Sequence, residues 1–103
     1  MISLEDLEGF IWDAGNQEKS AQKHGVGNSE TEEVFFNFNL VYENGEHSET
    51  EPRYRLLGNT NDMRVLFVVF TLRDKKIRII SSRRANKKER TIYHAAYKKS
   101  SKI

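Results

Sequence analysis

The run "RVLFVVFTL" at 64–72 is the most apolar in this chain of 103 residues, and no polar side chain interrupts 65–70. An apolar run of that length, without alternation, predicts a central strand covered on both faces. "RDKK" then makes a tight turn into "KIRIISS", so 64–72 and 76–82 are expected to pair as an antiparallel hairpin. A strand covered on both sides needs packing layers on each. A chain of this length supplies them only as one domain with one modest core. The expected domain is 1–103, with its core at about 9–97 and a basic tail, "KKSSKI", at 98–103.

The remaining segments supply the layers. Phe10 and Trp12 alternate in a short strand at 8–12. A polar helix is expected at about 14–24, closed by Lys23, His24 and Gly25, which suit the negative end of a helix dipole and a left-handed closing residue. Ser29 and Glu32 have the spacing of a capping box and predict a second helix at about 30–37, with Val34, Phe35 and Phe38 on the core. "NLVYEN" gives a strand at 39–43, and Asn44-Gly45 and Pro52 punctuate the loop before the strand in "RYRLLGNT". Asn86 and Glu89 form another cap signature and open a helix at about 87–98, packed through Ile92, Tyr93 and Ala96. The expected class is α+β: two N-terminal helices, an antiparallel sheet of about four strands and a C-terminal helix.

Composition then excludes several chemistries. The chain has no Cys, which removes disulfides and thiolate metal sites. With neither a signal-peptide core nor an 18-residue apolar run, a cytoplasmic, soluble protein without membrane contact is expected. His24, His47 and His94 fit no ligand spacing, so no metal or other cofactor is expected. The glycines of "HGVGNS" follow a helix and not a strand, which argues against a nucleotide loop, and no serine sits in a nucleophile-elbow context.

Charge distribution says more than the formal net charge of +2. Residues 1–51 carry twelve acids against Lys19 and Lys23, a formal −10. Residues 52–103 carry fifteen Lys and Arg against Asp62, Asp74 and Glu89, a formal +12. Clustered cations suit a phosphate backbone, whose counterions they release. Attraction between the two halves across the fold is the competing explanation. Within the basic half, strand alternation puts Arg78, Ile80 and Ser82 on one face of 76–82, and Ile77, Ile79 and Ser81 on the other. An Arg in mid-strand between isoleucines must reach solvent or a partner. If strand 76–82 lies beside 64–72 and near 53–58, then Arg53, Arg55 and Arg78 converge on one face. There they would grip phosphates and stabilise the charge of phosphodiester cleavage, or pair with glutamates of the acidic half. Tyr54 and Phe67 are candidates for stacking on a base, or for core positions. His47, in the loop with Glu46, Glu49 and Glu51, tends to hold its proton and is a candidate acid.

Several pieces of the sequence together resemble one family. "F-x-W-D" at 10–13, "KHGV" at 23–26, "HSxxExR" at 47–53, "LG" at 57–58, "VVFT" at 68–71 and "IRIISSRRANKKERxxY" at 77–93 are similar, in order and spacing, to the BrnT family of bacterial toxins. The chain departs from the family pattern at Asn16 and Ser20. The resemblance implies a RelE-like fold and a ribonuclease toxin of a type II toxin–antitoxin system that inhibits translation by cutting RNA. It also implies a ribbon-helix-helix antitoxin of the BrnA type, a heterotetramer of the two, and repression of the operon through operator DNA bound by the antitoxin. Such an enzyme works without metal, with the 2′-OH of RNA as internal nucleophile. On that basis Arg53, Arg78 and Arg83 are the expected phosphate and transition-state clamps, and Ser81 orients the phosphate. Glu51 or His47 moves protons, and Arg55, Arg73, Arg84 and Lys87 contact RNA. The alternative expectation is a non-catalytic module that binds nucleic acid or antitoxin as a corepressor.

Overall fold

The computed structural model describes residues 7–12, 25–44 and 52–100. Among these the chain forms β1 (Phe10–Ile11), α1 (Asn28–Glu33), β2 (Asn39–Asn44), β3 (Arg53–Asn59), β4 (Val65–Arg73), β5 (Lys76–Arg84) and α2 (Lys87–Ser100). The strands make one sheet in the order β1-β5-β4-β3-β2. The fold is α+β, as expected, but the sheet has five strands and is mixed. Phe10 and Ile11 join β5 in parallel, opposite Ile77 and Arg78, while the other pairings are antiparallel. The expected polar helix at 14–24 lies outside the described residues, which hold one N-terminal helix in place of two.

The expected hairpin forms, with Asp74 and Lys75 at φ 52° and 62° in the two-residue turn between Arg73 and Lys76. Two left-handed residues match the twist of the flanking strands. As expected, β4 is central and carries core on both sides. One cluster holds Leu56, Leu66, Val68, Phe70, Ile77 and Ile79 under Val26, Val34 and Phe35 of the N-terminal segment. The other holds Leu57, Val65, Ala85 and Tyr93, with Phe38, Leu40 and Phe67 packed against it. Gly58 is required where α1 meets the sheet, because a Cβ there would lie 3.0 Å from the Val34 side chain and carbonyl oxygen.

Three local expectations are corrected. The first helix is shorter than 30–37 and its N-cap is Gly27, not Ser29; Glu32 instead accepts a hydrogen bond from the Trp12 indole N–H at 2.8 Å. Asn39 then donates to the carbonyl oxygens of Val34 and Asn37, at 3.1 and 3.0 Å, which ends the helical segment. On α2, Tyr93 is buried but Ile92 is exposed. The third correction bears on function. Val69 faces Ser81 and Phe70 faces Ile79, so Ile80 is an extra residue, a β-bulge. A bulge shifts the alternation by one. Ser82 therefore turns into the core with Ile77 and Ile79, where its hydroxyl lies 2.8 Å from that of Thr31. Ser81 and Arg83 turn to the face of Arg78, contrary to unbroken alternation.

Candidate active site

The register builds a cationic face rung by rung. Directly opposed residues of antiparallel strands share a face, as do alternate residues of one strand. One rung runs Leu40, Leu57, Phe67 and Arg83, and the next runs Tyr42, Arg55, Val69 and Ser81. Arg53, two residues before Arg55, and Arg78, opposite Thr71, continue the same face toward the hairpin turn. The face carries Arg53, Arg55, Arg78, Ser81 and Arg83, five of the expected site residues. Arg73 and Lys76 oppose each other at its far end, about 20 Å along the strand from Arg83 at 3.3 Å per residue. A cleft lined by Leu7, Leu72, Arg73, Asp74 and Lys75 lies at that far end, away from Arg83. Arg84 opposes Leu66 and so belongs to the other side of the sheet, and Lys87 is exposed at the start of α2. Glu51 and His47 lie outside the described residues.

The N-terminus of α2 fixes Arg83. Asn86 and Glu89 form the expected capping box: the Glu89 N–H donates to Asn86 Oδ1 and the Asn86 N–H to Glu89 Oε1, both at 2.8 Å. The Glu89 carboxylate also accepts both arms of the Arg83 guanidinium, at 2.8 and 2.9 Å. Arg83 lies over the ring of Phe67, 4.3 Å from its centroid, and gives a further bond to the Arg84 carbonyl oxygen at 3.1 Å. A guanidinium has five N–H donors, so two remain without a partner among the described residues. Arg83 is a preorganised cation with donors to spare.

Electrostatics tie the neighbouring groups together. The hydrogen bond from Arg83, helped by the Asn86 N–H and by the charges of Arg83 and Arg55, holds the Glu89 carboxyl below its usual value of 4.5 against the opposing effect of burial. Burial, and then the Glu89 charge, raise the Tyr42 phenol above its usual 10.0, while Arg55 opposes them. Tyr42, Arg55, Arg83 and Glu89 are thus linked electrostatically on this face. A depressed carboxyl contributes stability that is fully present above the unfolded value and lost as pH falls through the folded one. Thermal stability should therefore decline below about pH 4.5, partly through Glu89. At pH 7, Glu89→Gln should cost about 1 kcal/mol, modest because the pair is partly exposed, and should flatten that part of the acid dependence in melting curves. An unchanged acid profile in Glu89→Gln would count against this ion pair.

Among the described residues no group of three or more His, Asp or Glu side chains is placed to hold a metal ion. Of the two candidate stacking residues, Tyr54 packs on Phe70, with centroids 5.5 Å apart, on the opposite side of the sheet. Phe67 is the floor under Arg83. Sequence reasoning missed Tyr42 and gave Glu89 only its capping role. Alternation in "NLVYEN" pairs Tyr42 with Leu40 on one face, but nothing local says that this face bears the arginines.

The family model described as "Ribonuclease toxin, BrnT, of type II toxin-antitoxin system" matches residues 12–89. Among solved structures, the 1.1 Å crystal structure of the Brucella abortus ribonuclease toxin BrnT has a similar fold, with a TM-score of 0.56 and 20% sequence identity. That match covers 77% of this chain and 97% of the Brucella chain. No curated protein sequence matches.

Proposed function

The chain belongs to the BrnT family of ribonuclease toxins of type II toxin–antitoxin systems, and we propose that it is a metal-independent endoribonuclease that inhibits translation by cutting RNA on its cationic sheet face. The observation that carries this reading is the convergence of Arg53, Arg55, Arg78, Ser81 and Arg83 on that face, with Arg83 braced by Glu89 and Phe67. The substrate's 2′-oxygen attacks the phosphorus and the bond from phosphorus to the 5′-oxygen breaks, leaving a 2′,3′-cyclic phosphate and a 5′-hydroxyl. A base removes the 2′-OH proton and an acid protonates the departing 5′-oxygen. Glu51 and His47 are the candidates for those transfers. Arg83 and Arg55 bind the phosphate as its charge grows, Arg53 and Arg78 extend the grip along the strand, and Ser81 donates a hydrogen bond to a phosphate oxygen. Glu89 positions Arg83 and is a weak base for the 2′-OH proton, because its carboxyl is held below the usual value. Arg73, Arg84 and Lys87 contact RNA outside the centre.

In the cell, residues 1–103 act as a single toxin domain in the cytoplasm, without a cofactor. A BrnA-type ribbon-helix-helix antitoxin neutralises it in a heterotetramer and represses the operon through its own DNA contacts. The test is to incubate the purified protein with single-stranded RNA in EDTA. Cleavage is expected, with 2′,3′-cyclic phosphate ends, and a 2′-deoxy substitution at the cut should abolish it. Dependence on a divalent ion, or 3′-hydroxyl products, would contradict the mechanism. Binding without cleavage would favour the corepressor module.

A further inference from the structure

We propose that Tyr42 is a stacking platform for an unpaired nucleobase of the RNA substrate, next to the phosphate held by Arg55 and Arg83. The assignment rests on the ribonuclease reading and adds a residue to the same face. Tyr42 lies directly opposite Arg55 in the pairing of β2 with β3, on the rung that ends at Ser81. Tyr42 is 42% exposed. Of the other aromatics of this side, Phe67 lies under Arg83, and Phe38, Tyr93 and Tyr97, the last 45% exposed, pack on one another, with centroids 5.5 to 6.3 Å apart. Among the described residues no ring packs on Tyr42.

Position favours stacking over proton transfer. Tyr42 stands on the edge strand β2, three strands from Ser81, about 14 Å at the usual strand spacing. A phosphate gripped between Arg55 and Arg83 leaves its nucleoside free to extend over β2, where Tyr42 offers a flat apolar surface. A phenol is neutral near pH 7, and burial and the Glu89 charge move Tyr42 further from ionisation, so the ring adds no negative charge facing the backbone. Stacking on an aromatic ring is how proteins hold the splayed bases of single-stranded RNA, and it tolerates any base because every base has a π-face. The opposing structural explanation is that Tyr42 is simply a good strand residue on an exposed edge.

The two are separated by affinity for a short RNA carrying a 2′-deoxy nucleotide at the cut, read by fluorescence anisotropy. Tyr42→Phe and Tyr42→Trp should bind within about threefold of the wild type. Tyr42→Ala and the strand-forming Tyr42→Thr should bind about 5- to 100-fold more weakly, the range for one lost base stack. Moving an abasic nucleotide along the RNA should find one position that weakens wild-type binding equally but costs Tyr42→Ala nothing further, a coupling that a structural role would not produce. Equal loss in Tyr42→Phe and Tyr42→Ala, or full binding by Tyr42→Thr, overturns the assignment while leaving the ribonuclease reading intact. A wild-type protein that neither binds nor cuts RNA overturns both.

Discussion

Arg83→Ala should slow RNA cleavage by about 100-fold or more, the usual cost of removing one preorganised donor from a transition-state anion. The effect is expected in the rate of the bound complex and less in RNA affinity, since Arg53, Arg55 and Arg78 remain on the same face. Arg83→Lys should recover little, because a lysine cannot hold both oxygens of Glu89 and keep a fork toward substrate. Expressed without antitoxin, either variant should relieve growth arrest. Stability should change little by comparison: the pair with Glu89 is partly exposed and contributes about 1 kcal/mol. If Arg83→Ala cuts RNA at the wild-type rate, the central cation of the proposed site has been misassigned.

Phe70→Ala should be the most destabilising single change in the sheet, at about 3–5 kcal/mol. Phe70 is fully buried on β4. Its ring meets Phe35 edge-on at 5.1 Å and stacks with Tyr54 at 5.5 Å, so it binds the N-terminal segment to the centre of the sheet. For a small domain with total stability of about 5–15 kcal/mol, this loss should lower the denaturant midpoint sharply. Phe70→Leu should retain most of the stability, because it keeps much of the buried apolar area. Equal midpoints for the wild type and Phe70→Ala would mean that this cluster does not organise the fold.

What could be read in advance depended on the range of the signals. The β4–β5 hairpin and the capping box of α2 are local, written in "RVLFVVFTL", "RDKK" and the Asn86–Glu89 spacing, and both are present. The parallel addition of β1 is two residues long and leaves too faint a pattern to declare its partner. The bulge at Ile80 was hidden for a different reason. Consecutive isoleucines fit either alternation, and the choice is made by tertiary contacts, chiefly Ser82 meeting Thr31 in the core. That shift turns Ser81 and Arg83 toward Arg78. The convergence of Arg53 and Arg55 with Arg78 was foreseen as a condition on strand order, and the order β5-β4-β3 meets it. Tyr42 was illegible because its pairing with Arg55 closes the loop between β2 and β3, a contact that no local pattern encodes.

In the proposed mode, RNA is held on the face of β2 to β5 that carries the arginines. Amide chemical shifts of the labelled protein, followed as a 2′-deoxy-blocked RNA is added, test it most directly. The largest changes are expected at Tyr42, Arg55, Ser81, Arg83 and Glu89, with little at α1 or at Tyr54 on the opposite side. Changes concentrated on α1 and the Tyr54 side, with Arg55, Ser81 and Arg83 unmoved, would contradict it.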